Sequence, residues 1–280
     1  MDNTITYRLV NESDITRIAN LVNAQYARKK DAAYFKWQFF NSYYPTICMC
    51  AVVGNQIVGM FGLQKRKLTD GHIVGHLIDL LVDPNWRGKG IFKKMGELAI
   101  AHFNDLQALT VLPNPNGKVA CEKSFDMKTI SKIDDLVCEK SDSKTIKIDP
   151  KDSSLLRYET NEKYRNWRFD QSPIYKYTKI KSDDESLTIT KKFTDPTTKD
   201  SFMDLVDYKG KTLAVQFEEN NPKISTWALP HTNLYTRLKS HGFKELARER
   251  YFCVKVLDSN LKHYYDIKTW NLVPADAEIY

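Results

Sequence analysis

Along the chain the apolar positions change their period several times, and each change marks an element. TYRLV reads as a first strand. In NESDITRIANLVNAQY, residues Ile15, Ile18, Ala19 and Val22 recur at helical spacing, with Ser13 or Asp14 as the cap. DAAYFKWQFF predicts a second, aromatic helix. CMCAVV, the turn Gly54-Asn55 and QIVGMFGLQKRKL predict a hairpin, and after TDGH the run IVGHLIDLLV predicts a fourth strand. Pro84 closes it, having no amide to donate. From Ile91 the period is helical again, through Phe92, Met95, Leu98, Ala99 and Phe103. LQALTVL is a further strand, NGKVACEKSF a short helix, and KTISKIDDLVCE a closing strand. The order predicts a mixed α/β fold with a hairpin-built sheet and a helix after the fourth strand.

Residues 140–153 are polar and poor in large apolar side chains, which predicts a linker. They separate a domain over 1–139 from a second over 154–280. The second half echoes the first: YFKWQFFNSYYP around Trp37 resembles KYRNWRFDQSPIY around Trp167. LIDLLVD at Asp79 resembles FMDLVDY at Asp204, and LTVLPNPNGKVACEKSFDMK resembles STWALPHTNLYTRLKSHGFK. The shared order predicts a divergent duplication.

With 280 residues, 42% hydrophobic and 28% charged, the composition is that of a soluble globular protein. A net charge of +7 mildly favours anionic partners. No apolar run reaches the roughly 20 residues of a membrane span, and the opening MDNTITYRLV, which lacks a basic region followed by an apolar stretch, is not expected to be a signal peptide. Five scattered cysteines predict no disulfide framework and a cytoplasmic, reducing location. Cys48 and Cys50 read as strand residues, because no second pair supplies zinc spacing; no metal is expected.

The stretch VDPNWRGKGIFKKM carries the chemistry. Glycines weaken a helix, yet Gly88 and Gly90 stand just before one. A helix start exposes unpaired amides and a partial positive charge, and glycines let an anion approach them closely. Arg87, Gly88, Lys89 and Gly90 offer amides beside two cations, a set suited to a pyrophosphate. The P-loop pattern and the dinucleotide Gly-x-Gly-x-x-Gly pattern are not met.

Here the sequence resembles the GNAT superfamily of acyl-CoA N-acyltransferases, whose signature is Gln/Arg-x-x-Gly-x-Gly/Ala after the fourth strand. Arg87, Gly88, Lys89, Gly90 and Ile91 follow it, and Phe92 replaces the last small residue. The set YFKWQFFN, VDPNWRGKGIF and LPN resembles GNAT proteins with a second, degenerate GNAT-like half. The resemblance implies acetyl-CoA as co-substrate, its pyrophosphate on amides from Arg87 to Phe92 and its pantetheine arm along Leu80, Leu81 and Val82. Asn116 matches the family's helix-start Asn, while Asp126 stands where Gly is usual. The implied reaction is direct attack of an amine on the thioester, with the Val82 amide polarising the carbonyl. Asp79 and His76 are the candidate bases; strand parity puts them on opposite faces. Glu122 occupies the place of the tyrosine that serves as acid in many relatives, so no general acid is assigned.

The second copy lacks the glycine loop and is not expected to bind CoA. Its expected role is to wall the acceptor site, with Trp37, Trp167 and Arg168 as acceptor-binding candidates or, for the tryptophans, core anchors. The terminal YYDIKTWNLVPADAEIY suits a sheet cap, an acceptor-cleft filler or a dimer contact. The expected acceptor is a small-molecule primary amine, with an amino sugar or nucleotide-linked amino sugar as the narrower expectation from relatives. The alternatives are a protein or peptide amine acetyltransferase and a catalytically decayed CoA-binding protein. No nucleic-acid motif surrounds the basic Lys65, Arg66 and Lys67, and no nucleic-acid partner is expected. Oligomeric state is left open.

Overall fold

The computed structural model describes residues 4–27, 29–139, 144–148, 152, 154–194, 199–217 and 223–277. Strand β1 (Ile5–Leu9) leads through a 3-10 turn, Glu12–Asp14, into helix α1 (Ile15–Gln25), followed by α2 (Ala32–Phe39). Asn11, not Ser13 or Asp14, caps this corner: its side chain accepts from the Ser13 amide, and Asp14 accepts from the Asn11 amide. Asp14 is buried and ion-paired with Arg8 at 2.5 Å and with Arg17, so it ties β1 to α1. Strands β2 (Thr46–Val53), β3 (Gln56–Lys67) and β4 (Ile73–Val82) form the expected meander. Helix α3 (Ile91–His102), β5 (Ala108–Val111), α4 (Pro115–Phe125) and β6 (Lys128–Lys132) follow. The first sheet has the order β1-β2-β3-β4-β5, extended beyond β5 by the chain's last strand and then β6. All of β1 to β4 are antiparallel, while β4 and β5 are parallel.

The single closing strand expected over 128–139 is two strands. After β6 the chain turns at Ile133 and Asp134, and β7 (Asp135–Glu139) joins a second sheet. The charges break the run: Asp134 accepts the Arg248 amide at 3.1 Å, and buried Asp135 binds Arg248 at 2.9 Å and Arg250 at 2.7 Å. The expected linker contains β8 (Lys144–Lys147); its residues 140–143, 149–151 and 153 lie outside the described residues. A short helix α5 (Glu162–Arg165) continues as a π-helical turn, Asn166–Asp170. Then come β9 (Tyr177–Lys181), β10 (Leu187–Thr194), β11 (Ser201–Lys209), β12 (Thr212–Val215), β13 (Lys223–Thr226), α6 (Asn233–Ser240), β14 (Lys244–Leu246) and β15 (Tyr251–Val256).

The second sheet runs β14-β7-β13-β11-β10-β9. Strands β9, β10 and β11 are antiparallel and β11 is parallel to β13, repeating the pattern of β2 to β5, and α6 follows β13 as α4 follows β5. In the first sheet β15 lies between β5 and β6; in the second, β7 lies between β13 and β14. Each sheet therefore takes that strand from the other stretch of sequence. Packing divides the chain into two units, one of Met1–Ile130, Glu159–Ile174 and Phe252–Tyr265, the other of Ser131–Tyr158, Tyr175–Tyr251 and Asp266–Tyr280. This is not the single cut between 139 and 154 that composition suggested. Among the described residues no helix is long and apolar enough to cross a membrane.

Candidate active site

The site begins where two strands part. β5 pairs with β4 only through Ala108, Leu109 and Thr110, opposite Val74, Gly75 and His76. From Leu77 to Val82, β4 keeps its partner β3 on one side while the ladder to β5 has ended. Within that stretch Gly62 opposes Ile78 and Met60 opposes Leu81, so Asp79 and Leu80 form a bulge, and Asp79 adopts φ +46°. Past the bulge the Asp83 amide donates to Val58 O at 2.9 Å on the β3 side. By strand alternation the Val82 amide then points the other way, toward the open edge.

The loop after β4 is built for tight turning. Asp83 caps a 3-10 turn, Pro84–Trp86, through the Asn85 amide. Arg87 Nε folds back to donate to Val82 O at 3.1 Å. Gly88 (φ +77°) and Gly90 (φ +74°) take left-handed backbone that an L side chain rarely adopts, with nothing within 4 Å of where a Cβ would stand. Gly90 is the N-cap of α3 and, having no side chain, leaves the first-turn amides uncapped.

These elements enclose a cleft of about 750 Å³. Nine of the ten residues expected to hold the nucleotide line it: Leu80, Leu81, Val82, Arg87, Gly88, Gly90, Ile91, Phe92 and Asn116. Lys89 does not; its ammonium lies 4.2 Å over the Trp86 ring. Sequence reading passed over Gln25 and Tyr26 at the end of α1, Trp86, Lys93, and the α4 residues Asn114, Gly117, Ala120, Lys123 and Ser124. A signal for α4 was present: Asn116, Ala120, Lys123 and Ser124 are small or polar at helical spacing, while Cys121 and Phe125 are buried. The α4 cap is Asn114, which accepts the Gly117 amide at 2.8 Å, and not Asn116. The lining residues include no aspartate or glutamate and three cations, Arg87, Lys93 and Lys123.

The candidate bases stand apart from the lining. His76 is buried, with Nδ1 3.0 Å from Thr110 Oγ1. Burial, aided by Arg66, holds its pKa well below the ordinary imidazole value, so it is neutral. Asp79 binds Lys30 Nζ at 2.6 Å and accepts from Tyr34 Oη at 3.2 Å, and its carboxylate is 4% exposed. Glu122 accepts from Thr129 Oγ1 at 2.6 Å and Lys118 Nζ at 2.9 Å, contacts that keep its carboxyl below the usual range. Asp126 takes φ +51° at the α4 C-cap, performing the left-handed turn that glycine makes elsewhere.

The acceptor candidates Trp37, Trp167 and Arg168 are all buried, which corrects their assignment to an acceptor surface. The two indoles stack at 4.7 Å with 16° between planes, and each Nε1 donates to the other's backbone carbonyl, at 3.0 and 3.5 Å. Arg168 sits 5.9 Å from the Trp37 ring centroid. The tryptophans are core anchors: stacking covers their apolar faces, and each other's backbone carbonyls accept their N–H groups. All five cysteines are buried free thiols, and no cluster among the described residues has the make-up of a metal site.

Residues 14–119 match the model of the acetyltransferase (GNAT) family. No curated protein matches the chain. Among solved structures the chain is similar to a GCN5-related N-acetyltransferase from Kribbella flavida, at 11% identity and TM-score 0.60, over 91% of this chain and 72% of that one. A probable N-acyltransferase of Enterococcus faecalis is similar at 7% identity and TM-score 0.57, over 91% and 73%. The glucosamine N-acetyltransferase region of a fungal multi-domain GH3 β-N-acetylglucosaminidase is similar at 10% and TM-score 0.54, over 90% of this chain and 38% of that one. At such identities these likenesses establish a shared fold across both sheets.

Proposed function

We propose, for a chain that belongs to the GNAT acetyltransferase family through residues 14–119, that it moves an acetyl group from acetyl-CoA to a primary amine of a small molecule. The observation that carries this is the open edge of β4 beside a loop whose left-handed glycines leave the α3 amides uncapped, in a cleft free of carboxylates. The diphosphate sits on amides from Gly88 to Phe92 with Arg87 beside it. The pantetheine arm runs along Leu80 to Val82. The acceptor nitrogen attacks the thioester carbonyl carbon, and the Val82 amide donates to the oxygen as it gains charge. The carbon–sulfur bond breaks, and the CoA thiolate takes a proton from water. The ammonium proton leaves to water as well, since His76 is buried and Asp79 already binds Lys30 and Tyr34. An amino sugar is the acceptor class we favour; the fold shared with a glucosamine N-acetyltransferase region supports it. The five free thiols support a reducing, cytoplasmic setting.

The test is thiol release from acetyl-CoA against a panel of amino sugars, nucleotide-linked amino sugars, polyamines and peptides. Turnover with a sugar amine is the expected result. Turnover confined to peptides would replace the acceptor class, and CoA binding without turnover on any amine would make the protein a CoA-binding module.

A further inference from the structure

The bulge in β4 decides which amide faces the open edge. Ile73 O accepts the Gln107 amide at 2.8 Å, and the Ile73 amide donates to Gln107 Oε1 at 3.0 Å. At the start of β4 the odd-numbered residues therefore face the β5 side. Further on, Asp83, also odd-numbered, donates to Val58 O on the β3 side. The parity reverses between them because Asp79 and Leu80 together stand opposite the single residue Phe61. Without that extra residue the Val82 amide would donate to β3, and the edge beside the cleft would present Leu81 and Asp83 instead.

The reversal rests on a strained residue. Asp79 takes φ +46° inside a strand, a conformation that Cβ sterics disfavour and that persists where the surroundings hold it. A closed clasp of three side chains holds it. Lys30 Nζ donates to Asp79 Oδ1 at 2.6 Å and to Tyr34 Oη at 3.0 Å, and Tyr34 Oη donates to Asp79 Oδ2 at 3.2 Å. The ammonium also lies 4.2 Å from the Tyr34 ring centroid. The Lys30 and Asp79 side chains are 11% and 4% exposed, so water and salt screen the pair little. Both supports are themselves fixed. Asn23, in α1, accepts the Lys30 amide and donates to the Lys30 carbonyl, each at 2.8 Å, and Asp31 accepts the Tyr34 amide at 2.9 Å as the cap of α2.

Resting on the reading of the cleft as an acetyl-CoA site, we propose that Lys30 and Tyr34 are positioning residues for acyl transfer: acting through Asp79, they hold the β4 bulge and so keep the Val82 amide at the open edge, aimed at the thioester oxygen. The Asp79 carboxylate anchors the clasp and takes no proton from the acceptor. Without the clasp, Asp79 relaxes toward ordinary strand backbone, the Val82 amide turns toward β3, and the carbonyl loses its donor. The phosphate loop begins at Arg87, beyond the bulge, so CoA affinity and carbonyl polarisation are separable.

The test reads these two quantities on the full chain, with calorimetry for CoA and difference infrared spectroscopy of acetyl-CoA isotope-labelled at the thioester carbonyl. In the unaltered protein the carbonyl band is expected to move to lower wavenumber on binding, as a hydrogen bond weakens the C=O bond. Lys30→Met should lose most of that shift while CoA affinity stays within about threefold. Adding Asp79→Gly to Lys30→Met should regain the shift, because glycine takes φ +46° at no steric cost and needs no clasp. Adding Asp79→Ala instead removes the same charge and should not regain it. Both double variants also remove the unpaired buried carboxylate that Lys30→Met alone leaves, so the comparison stands even where the single variant folds poorly. A full carbonyl shift in Lys30→Met overturns the proposal, as does the same outcome for the glycine and alanine double variants. CoA binding with no carbonyl shift in the unaltered protein removes the role of Val82 and of the clasp while leaving the CoA reading intact. No binding of CoA at all rejects that reading and the clasp together.

Discussion

Two regions of this chain start from the same sheet position and end differently. In Ile73–His102 a strand parallel to its next neighbour leads into a glycine loop and a helix. In Ser201–Val215 the corresponding strand turns at Gly210 and becomes β12, which pairs with β8. The first region leaves helix amides uncapped at an open strand edge. The second spends its amides in a two-stranded ladder, and β11 is packed by the C-terminal turn Pro274–Asp276, with Asn271 Nδ2 3.5 Å from Tyr208 Oη. Every residue from Trp270 to Ala277 is buried. The tail is a cover for the second sheet. The two halves thus share a sheet order while only the first has the glycine loop and uncapped helix start, because that loop depends on a few residues and the sheet on many apolar ones.

The same comparison reaches single residues. His76 faces Thr110 across the parallel pair, and Asp204 faces Ser225 in the same way. Each binds that neighbour's hydroxyl. Asp204 is therefore the structural counterpart of His76 rather than of Asp79, with which sequence similarity paired it. On the adjacent antiparallel strand Gln64 lies opposite His76 and Lys191 opposite Asp204, 3.7 Å from it. One copy has a neutral imidazole and an amide bound by the Arg66 guanidinium where the other has a direct ion pair.

The largest expected effect separates the glycines. Gly90→Val should weaken CoA binding at least about 100-fold in calorimetry, since a β-branched residue at φ +74° closes the loop's left-handed geometry. Gly210→Val should leave CoA affinity within about twofold and lower the melting temperature instead, because its Cβ meets the Ser186 backbone at 2.9 Å and its φ is +101°. CoA binding unaltered by Gly90→Val would erase the functional contrast between the regions. Next, Trp37→Ala should cost about 3–5 kcal/mol in urea denaturation while the folded fraction binds CoA normally. A loss of CoA affinity in that fraction would return Trp37 to the site.

A smaller effect distinguishes His76 from Asp204 by sign. Burial pushes Asp204 up to about 6, even with Lys191 and Ser225 opposing the shift. The folded state then holds this proton more tightly than the unfolded chain. The stability it contributes is complete below about pH 4 and is lost as pH rises through about 6, on the order of 2–3 kcal/mol. His76 is held below its ordinary value, so its contribution is present above about pH 6.5 and is lost as pH falls. Denaturation curves between pH 4 and 7 should therefore change slope in opposite directions for Asp204→Asn and His76→Asn; slopes of one sign would break the correspondence. The smallest effect belongs to Asp126→Gly, expected to stabilise by about 0.5–1 kcal/mol by relieving the left-handed C-cap, as read from the thermal midpoint.

Local pattern carried the reading a long way. The helical period from Ile91, the hairpin around Gly54 and the glycine at the α3 start depend on neighbours within a few residues, and all are found as the pattern requires. Lys123 escaped notice because a lysine on a short helix reads as solvated until its helix is placed beside the cleft that the glycine loop also lines. Trp37 and Trp167 stayed open between acceptor surface and core because a tryptophan's chemistry suits both, and their burial and mutual stacking are tertiary features.

From the linear chain alone follow the elements that depend on short-range period, the loop glycines and the family they signal. The partners of β7 and β15, the bulge that turns Asp79 toward Lys30, and the sealing of the second sheet by the tail follow only from the folded chain. Period and turn chemistry act over a few residues, whereas strand exchange and burial are set by competition among surfaces that lie far apart in the sequence, as Leu136 does from Thr226 and Val111 from Cys253.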